Sequence, residues 1–583
     1  MQKVNRNFLW CEAFVNQLTS LGVKYCCISP GSRNTPLTIA FAENKKIKTI
    51  INVDERNSAF IALGLAKSSN SPVAVVCTSG TSAAELYPAI IEAYQQRIPL
   101  IVCTADRPEY LLQTGANQTI NQKNIFSNHI RYSLNAELPS VKMNYVLSFL
   151  SGVRKALKVG LFDDKGPVHI NLPFEKPLEP DTYTDVISTR QKMLISSSSS
   201  KILNDKKDLL SLSSAEKELV NDIIKNENGI IFFGPHEPRF MIRRLTSSLS
   251  QITGYPVFAD GCSQLRFGQH NKQNIITNFD SVFRLSKITK PDLVIHFGRT
   301  PTSKSLEDFF TLNKCKRYVV NDFGDKADPS QTAYKTIRST PELHIEKILF
   351  ELSKTNFKRV NSGFRSAIIE TENKIENYKQ NYFSKKNFTD EVEIIRNVVS
   401  YLPDKSNLFI SNSTPVRDLD AFGSKLDNDI RVFNNRGASG IDGITSTAIG
   451  VAIDSKKPTI LITGDLSFYY DINTLINVRN KKLPFVVILI NNNGGGLFHA
   501  LPISSNKKYF EEYFLTRQNI DFKSLVTAFG INYSLIKKLE QLKLSLSKSI
   551  KAKQPVVFEI RTDSEKSHRS RLEFRRSLNK LFG

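Results

Sequence analysis

The chain has 583 residues, 40% of them apolar and 23% charged, enough for several domains with substantial cores. Its net charge of +23, from 79 Lys and Arg against 56 Asp and Glu, is spread in short clusters such as Lys45-Lys46, Lys206-Lys207 and Lys481-Lys482. That is the pattern of a solvated surface and argues against nucleic acid as a partner. No apolar run approaches the roughly 20 residues of a bilayer span, and the first residues lead into a helix-like pattern at Phe8, Cys11, Val15 and Leu18 without a signal-peptide core. A soluble, cytoplasmic protein with no membrane span is expected. The seven cysteines lack framework spacing and the eight histidines never fall at metal spacing on one helix, so any metal should be hard and oxygen-bound.

In chain order, a first α/β segment is expected over residues 1–185. Its apolar runs Tyr25-Cys26-Cys27-Ile28, Val73-Ala74-Val75-Val76 and Leu100-Ile101-Val102-Cys103 alternate with helical stretches and close at Val168-His169-Ile170-Asn171-Leu172. Such alternation makes a parallel sheet wrapped by helices. Glu55 follows the stretch 47–51 and opens the helical run 59–66; a lone glutamate there otherwise reads as a macrodipole residue. A polar linker around Ser196-Ser197-Ser198-Ser199-Ser200, 186–214, leads to a central segment, 215–355, with apolar runs at 229–234, 256–259 and 291–298. A charged helical connector, 356–400, precedes the last segment, 401–583. Its basic run Lys566-Ser567-His568-Arg569-Ser570-Arg571 reads as a terminal helix that is solvated or meets a neighbouring subunit.

That last segment carries the most informative chemistry. Thr459-Ile460-Leu461-Ile462-Thr463 and Phe485-Val486-Val487-Ile488-Leu489-Ile490 do not alternate polar with apolar residues, as buried parallel strands do not. They end in Gly464-Asp465-Leu466 and in Asn491-Asn492-Asn493-Gly494-Gly495-Gly496. A βαβ unit puts Asp465 and Asn492 at the carboxyl edge of the sheet, where open α/β sheets bind ligands. One carboxylate, one amide oxygen and carbonyls of a glycine-rich turn suit Mg²⁺, which takes its other ligands from water and phosphates. The plain alternative is a strand-end aspartate and an Asn/Gly turn.

The spacing resembles the thiamine diphosphate motif, with Leu466 where the superfamily commonly has Gly. Taken with Ser29-Pro30-Gly31-Ser32-Arg33-Asn34-Thr35-Pro36, Thr104-Ala105-Asp106-Arg107-Pro108, Gly115-Ala116-Asn117-Gln118 and Asn435-Arg436-Gly437-Ala438-Ser439-Gly440-Ile441-Asp442-Gly443, the chain is similar to the 2-succinyl-5-enolpyruvyl-6-hydroxy-3-cyclohexene-1-carboxylate synthases. The resemblance implies pyrimidine-binding, central and diphosphate-binding domains in that order. It implies a carboligase of menaquinone or phylloquinone synthesis, in which 2-oxoglutarate is decarboxylated on thiamine diphosphate and its succinyl unit adds to isochorismate. Glu55 matches the carboxylate that meets the aminopyrimidine ring. Asp465, Asn492 and the carbonyl of Gly494 match the ligands of Mg²⁺, with Mn²⁺ as an alternative. Ser439, Gly440 and Ile441 match cofactor contacts, Ile441 being the apolar wedge. Ser32, Arg33, Arg107, Asn117, Gln118 and Lys304 match the isochorismate pocket, and Ser413, Arg417 and Arg436 the grip on the distal carboxylate. Leu497, Phe498 and Leu501 match apolar pocket residues. Ser305 departs from a second basic residue found in many members. Active sites at contacts between copies, in a homodimer or homotetramer, are implied as well. Two rivals stay open: another thiamine-dependent decarboxylase or carboligase, and a non-catalytic binding protein with a basic surface.

Overall fold

The computed structural model describes residues 1–196, 211–239, 241–285, 290–313, 315–359 and 362–582. Three six-stranded sheets, parallel throughout, carry the α/β architecture that the runs of unbroken apolar residues predict. The first sheet runs, edge to edge, Lys48–Ile51, Tyr25–Ile28, Val73–Cys77, Leu100–Asp106, Val168–Pro173 and Tyr132–Asn135. The third runs Ile430–Phe433, Ser406–Ile410, Thr459–Gly464, Phe485–Asn491, Val556–Arg561 and Asn532–Leu535. Counted along the chain, both have the order 2-1-3-4-6-5. The central sheet has 3-2-1-4-5-6, with Gly229–Phe233 and Leu293–Phe297 at its middle.

The chain divides into two compact units. The first comprises Met1–Asp205, Asn435–Lys456 and Tyr470–Val478. Within it the helices Glu55–Ser69 and Ile444–Ser455 pack together, and both are buried on every side from Asn57 to Lys67 and from Ile444 to Ile453. Glycine permits this approach: a Cβ on Gly64 would stand 2.0 Å from the carbonyl oxygen of Thr447, and one on Gly450 2.2 Å from that of Ile61. Gln2–Val4 pairs antiparallel with Asp185–Ile187, and the helix Thr189–Ser196 follows. These elements fill the start of the stretch expected to be a linker; residues 197–210, including most of its serine run, lie outside the described residues.

The second unit comprises Lys206–Asn434, Lys457–Tyr469 and Arg479–Gly583, with the central and third sheets. Arg266 is fully buried there and donates to the carbonyls of Ala259, Leu419, Asp420 and Gly423. It thereby caps the carboxyl end of the helix Thr414–Phe422 from the central segment, where a cation is favoured by the helix dipole. No helix among the described residues is long and apolar enough to cross a membrane.

Candidate active site

Asp465 and Asn492 come from neighbouring strands, with Gly464 paired to Ile490 in register. The crossover between them is broken into a short helix, Asp465–Tyr470, and a 3₁₀ stretch, Ile472–Val478. Asp465 is 5% exposed; its carboxylate accepts from the backbone N–H of Gly494 at 2.8 Å and of Leu466 at 2.9 Å. Burial pushes its carboxyl up to about 6, against the pull of those two donors. Asn492 donates its amide N–H to Glu391 Oε1 at 2.9 Å, and its own buried Oδ1 meets no donor among the described residues. A buried carboxylate beside an unpartnered amide oxygen is what a hard cation would satisfy. Among the described residues no three His, Cys, Asp or Glu gather into a group that could hold a metal ion.

Two residues that sequence reasoning passed over support Asn492. Glu391 also accepts from Thr562 Oγ1 at 3.2 Å, and its other oxygen accepts from Arg571 Nη2 at 2.8 Å. Arg571 in turn binds Asp418, its Nε 2.8 Å from Oδ1. The basic run expected on a terminal helix that is solvated or meets a neighbouring subunit does lie on a terminal helix, Ser564–Phe582, but sends one member inward, because that helix buries a stripe at Ser567, Ser570, Arg571, Phe574 and Leu578. That i, i+3, i+4, i+7 spacing was visible in the sequence and was masked by the charges around it.

Glu55 opens the helix Glu55–Ser69, with Asp54 as N-cap accepting from Asn57 N. Its Oε1 accepts from Ser82 Oγ at 2.6 Å, so the carboxylate is held by a residue of the short helix Thr81–Glu85 that follows the strand Val73–Cys77. Ile441, in the loop after the strand Ile430–Phe433, is 37% exposed. Ser439 and Gly440 precede it, with Ser439 at φ 62°.

In the first unit Arg33 is 6% exposed and donates to the carbonyl of Phe174 at 2.7 Å. Its pKa is lowered by burial first and by the Arg107 charge second. Two guanidinium groups that repel each other in a half-dry setting call for an anion. Arg107 adds a buried Nε with no acceptor among the described residues. Arg107 N donates to Asp106 Oδ1, and Asp106 belongs to a buried chain through Asn171 to Thr104 and Gln122 that fixes this strand end. Gln118, at φ 54°, donates to the carbonyl of Ser79 at 3.0 Å; Asn117 and Ser32 are exposed.

In the second unit Arg417 donates to the carbonyl of Ser413, which sits at φ 68° before the helix Thr414–Phe422. Lys304 opens the helix Lys304–Leu312 and is exposed. Ser305 is buried, and its hydroxyl donates to Asp280, which Ser303, Arg284 and Arg575 also engage. Arg284 and Arg575 supply the positive charge beside Asp280 that residue 305 does not. Leu497 and Phe498 lie in the short 3₁₀ helix Gly496–Ala500, and Leu501, which follows it, is 44% exposed.

The fold and these strand-end groups define a thiamine pyrophosphate enzyme. Residues 10–125 match the thiamine pyrophosphate enzyme N-terminal TPP binding domain and residues 425–560 the corresponding C-terminal TPP binding domain. The chain is 34% identical to the 2-succinyl-5-enolpyruvyl-6-hydroxy-3-cyclohexene-1-carboxylate synthase of Haloarcula marismortui, over 97% of each chain. It is 35% identical to that of Oceanobacillus iheyensis, over 95% of this chain and 94% of the relative. The chain belongs to this synthase family. A solved structure, benzoylformate decarboxylase from Polynucleobacter necessarius, shares the fold with a TM-score of 0.70 at 15% identity, covering 97% of this chain and 99% of its own.

Proposed function

We propose that this chain decarboxylates 2-oxoglutarate and adds the succinyl unit to isochorismate, giving 2-succinyl-5-enolpyruvyl-6-hydroxy-3-cyclohexene-1-carboxylate, in the cytoplasm, on the way to menaquinone or phylloquinone. The observation that carries the substrate assignment is the Arg33 and Arg107 pair, two close cations with an unpartnered buried N–H, suited to a polyanionic acceptor. Thiamine diphosphate, when bound, supplies the electron sink that turns a 2-oxo acid into an acyl nucleophile as carbon dioxide leaves. Asp465, Asn492 and the Gly494 carbonyl would hold Mg²⁺ or Mn²⁺ against the diphosphate, Glu55 would meet the aminopyrimidine ring, and Ser439, Gly440 and Ile441 would support the cofactor's bend. Arg417 and Arg436, with Ser413, would hold the distal carboxylate of 2-oxoglutarate. Ser32, Asn117, Gln118 and Lys304 would join the arginines around isochorismate, while Leu497, Phe498 and Leu501 would keep water from the reacting carbon.

Active sites shared between two copies follow from the same reading, with Glu55 of one chain serving the Asp465 of another in a homodimer or a homotetramer. Supporting this, Ile51 and Val53, just before Glu55, are 57% and 81% exposed, apolar surface that association would cover. A domain division at 1–185, 215–355 and 401–583, with 356–400 as connector, accords with the three sheets.

The deciding experiment incubates the protein with thiamine diphosphate, Mg²⁺, 2-oxoglutarate and isochorismate, with mass detection of the adduct and pyruvate as control donor. Adduct from 2-oxoglutarate alone is expected; decarboxylation without adduct, or preference for pyruvate, would move the activity to another carboligase. Arg107→Met should raise the KM for isochorismate about 10- to 100-fold, the worth of one or two charged hydrogen bonds. The KM for 2-oxoglutarate should change less, and equal changes in both would detach Arg107 from the acceptor.

A further inference from the structure

Glu92 lies on the helix Tyr87–Gln96 and is 3% exposed. Glutamate is rarely so deeply buried unless it is paired, and none of the roles assigned above uses this one. Its Oε1 accepts from the backbone N–H of Gly437 and its Oε2 from that of Ala438, each at 2.7 Å. Oε1 also accepts from the Gln96 side-chain amide at 2.5 Å. Gln96 in turn takes a hydrogen bond from Nζ of the buried Lys67, on the helix Glu55–Ser69. A buried carboxylate is tolerated because charge-assisted donors fill its lone pairs.

The two backbone donors belong to the loop that joins the strand Ile430–Phe433 to the helix Ile444–Ser455 and bears Arg436, Ser439, Gly440 and Ile441. The loop reaches the helix only because residue 437 is glycine: a Cβ there would stand 2.8 Å from Gln96 Cγ and 2.9 Å from both Gln95 Cβ and the Glu92 carbonyl oxygen. A glycine-rich loop free to wander would lose about 1–2 kcal/mol per residue on being ordered by a ligand. A loop already clamped has met that cost before the ligand arrives.

We propose that Glu92 is a positioning residue that clamps this loop in its cofactor-receiving shape and so sets the affinity for thiamine diphosphate, with Gln96 and Lys67 holding the clamp. The inference rests on the reading of the loop as cofactor-binding given above. Because Glu92 holds the backbone and no reacting group, its loss weakens binding and spares the chemical step.

Glu92→Gln keeps the shape but offers one oxygen, and sets an amide N–H against one of the two loop donors. Calorimetric titration of thiamine diphosphate with Mg²⁺ into the cofactor-free protein should show Kd raised about 10- to 100-fold, the scale of one or two lost charge-assisted bonds. Turnover at saturating cofactor should stay within about threefold, since no transition-state contact is removed. Unchanged affinity in the folded variant overturns the proposal, and so does a loss of turnover that saturating cofactor does not restore. Should E92Q fail to fold, Gly437→Ala carries the test by pushing the loop off the helix with Glu92 intact: the same rise in Kd is expected, and an unchanged Kd overturns the clamp. Wild-type protein that binds no thiamine diphosphate would remove the underlying cofactor reading, a result distinct from tight binding by both proteins.

Discussion

Glu55→Gln is expected to lower turnover about 10²- to 10⁴-fold with saturating thiamine diphosphate and Mg²⁺, the scale of a positioned acid-base group. The substitution is nearly isosteric, and the amide oxygen can still accept from Ser82 Oγ, the observed partner at 2.6 Å. What is lost is the charge. As a helix-opening residue Glu55 also favours the dipole of the helix Glu55–Ser69, an effect worth about 0.3–1 kcal/mol. Stability and activity therefore separate: the melting temperature should fall by no more than a few degrees while turnover collapses. A variant that turns over at near the wild-type rate would reduce Glu55 to a dipole residue.

Asp465→Asn should abolish the rise in melting temperature expected of the wild type with thiamine diphosphate and Mg²⁺, and weaken cation binding at least about 100-fold, beyond the range known for residues that merely support metal ligands. The folded carboxyl stands near pH 6 through burial, above its ordinary 3.8. The cofactor-free fold then holds the extra proton between those values and loses stability as pH rises through the window, by about 2–3 kcal/mol in all. A cation bound there would offset that cost, so ligand-induced stabilisation should be full above about pH 6 and shrink below it. On the proposed cation site, Glu391→Gln should give an intermediate loss, because it loosens the Asn492 amide and leaves the oxygen set itself in place. A melting curve of D465N that responds to Mg²⁺ and cofactor as the wild type does would dismiss the cation site.

The strand ends were the legible part of this chain. Unbroken apolar runs closed by Gly-Asp or Asn-Asn-Asn-Gly declare both the parallel sheet and the edge where ligands go, since burial on two faces leaves polar residues nowhere to lie except at the ends. Partnerships distant in sequence were not legible. Nothing in the sequence singles out Glu92 in mid-helix, and its use becomes visible only when residues 437 and 438 arrive beside it. Arg571 and Glu391 are separated by the whole third sheet, and the surrounding Lys566 and Arg569, which do face water, set a misleading tone. The βαβ reading places a helix-length segment after Asp465, and the crossover is in fact broken in two. Its second part instead docks in the first unit, where Asn473 Nδ2 donates to Asp54 and Asp471 accepts from Ser446.

The path of the chain has a consequence for how this molecule can be taken apart. It leaves the second unit at residue 435, returns at 457, leaves again at 470 and returns at 479. Neither unit is a continuous stretch, and no single cut between the sheets yields a finished piece. A fragment ending near residue 205 would lack the helix Ile444–Ser455 and bare the flank around Gly64, from Asn57 to Lys67, that is wholly covered in the intact chain. The loop that Glu92 grips belongs to the first unit with Glu92 itself, yet it is made more than 300 residues later, so the first unit cannot be finished in synthesis before residue 478 has emerged.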